Sequence, residues 1–136
     1  KYGLPTDYLK SYNEYLGVSK NWEWVDDIVI TLSDGSRCFF THGMSANILQ
    51  LSMQMGMHVV QGHYHSKFSI GYFSNPDQLV WGMQVGCLTS QSSLAFDYSR
   101  NFKSRFIMGC GMIINGQPKL MPMVFGKDGE WIKKIA

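Results

Sequence analysis

Three of the four histidines in this sequence stand at positions where they could bind a metal ion. His42 lies in the stretch FFTHG, and His63 and His65 lie in VVQGHYH. Neutral imidazole is a common ligand for zinc, iron, nickel and manganese. Side chains two residues apart on an extended strand share a face, so His63 and His65 could point into one site. The spacing therefore raises the question of a metal centre built from these residues.

The elements around the histidines predict that His42 comes close to the pair. Arg37–Thr41 is a β-rich run that leads directly into His42, and MHVVQGHYH reads as a buried strand that ends at the histidines. Between them, MSANILQLSMQMG has apolar residues at helical spacing, with Gly56 as its natural stop. This order predicts a parallel crossover, in which both strands end at the same sheet edge. Ligands of open αβ sheets bind at that edge.

Two glycines favour a close approach at this edge, since Gly43 follows His42 and Gly62 precedes His63. The HxH pair alone is a weak signal, because strands carry exposed polar residues at alternate positions. The pair together with His42 at a strand end favours metal binding. His58 lies early in its strand, away from this edge, and is predicted to be structural.

The remaining pattern predicts one α+β domain over residues 1–136. A short helix capped by Thr6 or Asp7 is expected to end at Gly17, and Asp34-Gly35 predicts a hairpin between strands at 28–32 and 37–41. The stretch SSLAFDYSR is a loop or a short helix. Several β-rich runs follow the crossover, and their turns are predicted at Asn75-Pro76-Asp77, Asn115-Gly116 and Asp128-Gly129.

Composition narrows the function classes. A net charge of +2 is too small to indicate nucleic-acid binding by itself. The segment DYSRNFKSR holds Arg100, Lys103 and Arg105 between aromatic residues and could contact a nucleic acid, although a solvated loop is the commoner structure for such a segment.

Three distant cysteines without a CxxC pair indicate buried thiols in a reducing compartment, so a cytoplasmic protein is expected. No apolar run approaches the roughly 18 residues of a membrane span, and no G-x-S-x-G marks a serine nucleophile.

The sequence resembles the C-terminal half of calcineurin-like metallophosphoesterases in the stretch FFTHG, the crossover and the stretch VVQGHYH. Its overall character is similar to that of phage-encoded members of the family. That family has a late strand ending in a histidine, then a helix, then a G-H-x-H motif, which here is Gly62-His63-Tyr64-His65. QVGCLTS, residues 84–90, looks like the segment that returns a strand to the same edge. The resemblance covers roughly residues 25 to 92.

The resemblance implies half of an αββα sandwich and a dinuclear centre of divalent ions such as Mn, Zn, Fe or Ni. His42 and His63 would ligate one ion and His65 the other. The ions would activate a hydroxide for attack on a phosphoester substrate, of which nucleic acid is one option.

The departures from the family are equally informative. Its motifs D-x-H, G-D-x-x-D and G-N-H-D/E are missing, and Asp26-Asp27 fit none of them. The chain is therefore expected to be the C-terminal part of a phosphoesterase that is active only with a complementary N-terminal half or an oligomeric partner. The alternatives are a truncated or degenerate module that binds a metal or a partner without turnover, and an unrelated β-rich binding protein.

Overall fold

The computed structural model describes residues 10–89, 106–127 and 131–132. Within these ranges the chain forms two helices and seven strands. They are α1 (Tyr12–Leu16), β1 (Asp27–Thr31), β2 (Arg37–Thr41), α2 (Ile48–Met55), β3 (His58–Gln61), β4 (Phe68–Ser74), β5 (Leu79–Val85), β6 (Gly109–Ile114) and β7 (Gln117–Pro122). The α+β class predicted from the pattern is confirmed.

Five strands form a mixed sheet in the order β1-β2-β3-β5-β4. The central pairs β2–β3 and β3–β5 are parallel, whereas β1 and β4 pair antiparallel with their neighbours at the two edges. The predicted crossover from β2 through a helix to β3 is confirmed. Consequently, β2, β3 and β5 all end on the same side of the sheet. We call this side, at the carboxyl ends of the parallel strands, the histidine edge, which is distinct from the outermost strands β1 and β4.

The β1–β2 hairpin turns where the sequence predicts it. Gly35 has a φ of +83°, and the backbone N–H of Gly35 donates to the carbonyl of Leu32. The Asp34 carboxylate accepts from both the backbone N–H and the hydroxyl of Ser36, which lowers the pKa of Asp34. These bonds close the loop and set the register of β1 against β2.

Helix α2 covers one face of the sheet. Ile48 and Leu51 pack against Phe39 and Val59 in a buried cluster. The helix ends at Gly56 as predicted, in the left-handed conformation. Its predicted start at Met44 is wrong, because Asn47 caps the helix by accepting from the N–H of Gln50, and the helix begins only at Ile48.

The β6–β7 hairpin packs on the other face, over β5 and β4. Its turn has positive φ at Asn115 and Gly116, as the Asn-Gly pair predicts. The indole N–H of Trp81 on β5 donates to the carbonyl of Gly116 at 3.1 Å. Buried Cys38, Trp81 and Met83 form the core of this layer.

Helix α1 lies before the sheet and ends at Gly17 as predicted. Ser11 caps it through a capping box with Glu14. The prediction that Thr6 or Asp7 caps this helix is wrong, because the helix begins at Tyr12 with Ser11 as its cap. Two predictions fall outside the described residues: the segment SSLAFDYSR and the turn at Asp128-Gly129. In the part of the chain that the structure describes, no helix is both long and apolar enough to cross a membrane.

Candidate metal centre

His42 and His63 meet at the histidine edge. His42 Nε2 lies 3.1 Å from His63 Nδ1, and the two rings meet edge to face with centroids 5.0 Å apart. The prediction that the crossover brings these two residues together is confirmed. Both side chains are exposed, so a ligand could reach them from solvent.

Strand register explains the encounter. Thr41, the last residue of β2, is aligned with Gln61, the last residue of β3. The two chains therefore leave the sheet side by side, and His42 and His63 follow within two residues. Twenty-one positions separate the two histidines along the chain, and the parallel pairing of β2 with β3 brings them together in space.

Gly43 is required for this contact. A Cβ added to Gly43 would lie 2.4 Å from the Cβ of His63, a separation that two carbon atoms do not tolerate. At Gly62 an added Cβ would meet the carbonyl oxygen of His42 at 3.5 Å, which is ordinary contact. Of the two glycines predicted to leave room here, Gly43 is therefore the essential one.

The prediction that β3 continues to the histidines is wrong. The strand ends at Gln61, and Gly62–Tyr64 form a γ-turn in which the N–H of Tyr64 donates to the carbonyl of Gly62 at 2.7 Å. His63, the central residue of this turn, has a φ of +62°. Because the backbone is not extended here, the alternation that would place His63 and His65 on one face does not apply.

His65 has different surroundings from the other two histidines. Its ring packs edge-on against Phe106 at a centroid distance of 5.1 Å, and its carbonyl accepts from the N–H of Ile107. Among the described residues, no three side chains of His, Cys, Asp or Glu cluster closely enough to hold a metal ion. The structure thus unites His42 with His63 and places His65 apart from them.

A buried glutamine holds the chain that follows His42. Gln61 is fully buried, and its Oε1 accepts from the N–H groups of Met44 and Ser45 at 3.2 and 3.4 Å. Its Nε2 donates to the carbonyl of Ser45. Residues 43–47, which we call the 43–47 loop, are therefore anchored to the end of β3, next to His63.

The neighbouring strand contributes a second amide. Gln84 on β5 is aligned with Gln61 on β3 and is 2% exposed. Its Nε2 donates to the carbonyl of Ala46 at 3.4 Å, and its Oε1 accepts from the hydroxyl of Ser69. Neither glutamine was singled out from the sequence, since glutamine is mostly a surface residue.

Two aspartates that match no sequence motif also lie at the histidine edge. Asp27 begins β1 and is aligned with Thr41, so Asp26 lies beside His42 along the two chains. Asp26, Asp27, His42 and Gly62 line one groove. The predicted β1–β2 hairpin could have indicated this position of the aspartates, because antiparallel pairing places the start of β1 beside the end of β2.

His58 lies at the opposite edge, as predicted for a structural residue. It is 8% exposed and stacks on Trp81 with ring centroids 4.4 Å apart. Its Nδ1 accepts the backbone N–H of Trp81 at 3.1 Å, which requires the neutral ring. Burial lowers the pKa of His58, although Asp34 partly opposes this shift.

The cysteines do not join the histidine pair. Burial raises the pKa of Cys38 to about 12, so this thiol stays protonated and unreactive. Cys87 and Cys110 are half-buried and free of disulfide bonds. Arg100, Lys103 and Arg105, for which a solvated loop was the commoner expectation and a nucleic-acid contact the alternative, lie outside the described residues.

No protein-family model matches this chain, and searches of curated proteins and of solved structures find no match either.

Proposed function

We propose that this chain supplies histidine ligands to a divalent-metal site that serves phosphoester hydrolysis. The observation that carries the proposal is the 3.1 Å approach of His42 Nε2 to His63 Nδ1 across a parallel crossover. The order of strand, histidine, helix, strand and G-H-x-H also resembles calcineurin-like metallophosphoesterases. In that resemblance the domain corresponds to the C-terminal half of an αββα sandwich.

The separation of the two nitrogens fits a shared ion. With metal–nitrogen bonds of about 2.0–2.1 Å, two ligands of one ion lie about 2.8–3.4 Å apart at octahedral to tetrahedral angles. An N–H···N hydrogen bond between the two rings would give a similar distance. A measurement of metal affinity, rather than the distance, therefore distinguishes a shared ion from a hydrogen bond. The edge-to-face rings and their exposure leave the nitrogens accessible to an incoming ion.

A bound divalent ion would polarise the phosphoryl oxygen and acidify water at the site. The chain's own residues would act as follows. His42 and His63 bind the ion, Gly43 permits their approach, and Gln61 fixes the loop after His42. By the resemblance, His65 would belong to a second ion, which is consistent with its separation from the other two.

Carboxylates are needed to complete such a site. Asp26 and Asp27 lie at the same edge but do not form a three-residue cluster with the histidines among the described residues. We therefore propose that a complementary chain, segment or second copy supplies the missing acidic ligands. The second candidate function is a module that binds metal or a partner without turnover, and the absence of the family's acidic motifs from the chain favours it.

Titration calorimetry with Mn²⁺ and Zn²⁺ tests the proposal. We expect His42→Ala and His63→Ala each to lower the affinity by about tenfold or more, because each removes a ligand. His58→Gln at the opposite edge is the matched control and should bind as the parent chain does. No metal binding, or binding that neither alanine substitution affects, would overturn the proposal.

Turnover separates the two candidate functions. Hydrolysis of bis(4-nitrophenyl) phosphate with Mn²⁺, lost in His63→Ala, supports the enzyme. Metal binding that depends on both histidines, without hydrolysis by the chain, supports the non-catalytic module.

A further inference from the structure

Strand β1 leaves one edge of the five-stranded sheet open. Among the residues that the structure describes, it pairs only with β2, and all five of its residues are exposed. The exposed fractions of Ile28, Val29 and Ile30 are 45%, 40% and 44%. These values are high for consecutive branched apolar residues in a strand. They arise because α2 packs on β3, β4 and β5, while the β6–β7 hairpin packs on β4 and β5.

The hairpin register shows which backbone groups of β1 point outward. The N–H of Leu32 donates to the carbonyl of Ser36, so this is a hydrogen-bonded pair. Hydrogen-bonded pairs alternate along an antiparallel ladder, which makes Ile30–Cys38 and Ile28–Phe40 the next two. The N–H and C=O groups of Asp27, Val29 and Thr31 therefore face away from β2.

Three features that often protect a sheet edge are missing from β1. Its sequence, DIVIT, contains neither lysine nor proline, and its register with β2 runs without a bulge. Such an edge is a template for another strand. The apolar surface continues upstream of β1, where Trp22 and Trp24 stack at 6.2 Å and Trp22 is 60% exposed.

Charge indicates what kind of strand would pair here. Residues 22–31, WEWVDDIVIT, hold three acidic and no basic side chains. Asp27 and Val29 share one face of β1, whereas Ile28 and Ile30 share the other. A partner strand with basic residues at alternate positions would place them beside Asp27, and its apolar residues beside the isoleucines.

We propose that β1 is a docking edge that adds an extended polypeptide segment of alternating basic and apolar residues. Backbone bonds to Asp27, Val29 and Thr31 would provide affinity, and the carboxylates near the start of β1 would select the basic partner. This assignment does not depend on the metal site, since the residues that carry it are backbone groups of β1 and acidic side chains.

Residue-resolved amide exchange on the full chain tests the proposal. The probe is the blocked peptide Lys-Val-Lys-Val-Lys-Val-Lys, and its matched control has glutamate in place of every lysine. We expect the lysine peptide to slow exchange at Asp27, Val29 and Thr31 by about tenfold or more, and the glutamate peptide to have no effect. Ile28 and Ile30, already bonded to β2, should change less.

Two variants separate the β1 edge from the β4 edge. Val29→Lys should abolish the protection because it adds a like charge at the docking edge, whereas Tyr72→Lys on β4 should preserve it. The proposal is overturned if neither peptide protects β1, or if both protect it equally. It also fails if protection grows with chain concentration without peptide, because β1 would then pair with a second copy.

Discussion

Gln61 and Gln84 stand side by side on β3 and β5, and the amide of each bonds to the loop that follows His42. Both side chains are buried, at 0% and 2% exposure. Side chains from two parallel strands thus anchor the 43–47 loop. The position of His42 consequently depends on two buried side-chain amides.

Replacing Gln61 with leucine should destabilise the fold. The substitution leaves the N–H groups of Met44 and Ser45 without their acceptor, and an unsatisfied buried polar group costs about 1–3 kcal/mol. Urea unfolding would measure the loss. Gln78→Leu is the control, because Gln78 is exposed and its side-chain amide donates to the carbonyl of Gly56 at the C-cap of α2. Equal effects of the two substitutions would contradict the role given to Gln61.

Gly43→Ala should separate His42 from His63, whereas Gly62→Ala should leave them together. The added Cβ would collide with His63 in the first variant and meet only ordinary contact in the second. We expect the metal affinity of Gly43→Ala to fall by about tenfold or more, as it does when a group that positions a metal ligand is lost. Calorimetry on both variants, with circular dichroism to verify folding, makes the comparison. A weaker Gly62→Ala and an unaffected Gly43→Ala would reverse the assignment.

Protonation of His58 should destabilise the fold below neutral pH. Burial lowers the pKa of His58 in the folded state below its ordinary value of 6.5, so the fold favours the neutral ring. Stability is then complete above pH 6.5 and declines as the pH falls through the folded-state pKa. The proton would also displace the N–H of Trp81 from Nδ1. Thermal unfolding between pH 7.5 and 5 would follow the decline, which should be smaller in His58→Gln.

Cys38 should resist alkylation in the native protein. Burial raises the pKa of its thiol to about 12, and the side chain is 0% exposed. At pH 8, iodoacetamide should modify Cys87 and Cys110, which are half-buried, well before Cys38. Peptide mass mapping over time would show the order. Rapid modification of Cys38 without denaturant would place it outside the core.

The sequence predicted the parts of this site that depend on local pattern. Asp34-Gly35 marked the hairpin, helical periodicity up to Gly56 marked the crossover, and together they brought His42 to His63. The end of β3 was not predictable in the same way. His63 adopts a positive φ, which is uncommon for any residue but glycine. Histidine is among the residue types enriched there, but most histidines have a negative φ, so its type alone did not predict the γ-turn that separates His65 from His63.

The buried amides and the aspartates were missed for a different reason. Glutamine is usually exposed, and only the alignment of β3 with β5, which are separated in sequence by β4, shows that Gln61 and Gln84 share a loop. Asp26 and Asp27 matched no linear motif. Their place beside His42 follows from strand pairing, which a reading by motif does not consider.

The order of strands in the sheet also has a consequence for folding kinetics. The β1–β2 and β4–β5 hairpins join neighbours in sequence and close short loops, whereas the parallel pairs β2–β3 and β3–β5 join more distant segments. Local pairs form fast, and parallel pairing is slower because a longer loop must close first. We therefore expect His42 and His63 to meet late in refolding, so that metal uptake would report the arrival of the native state rather than its early hairpins.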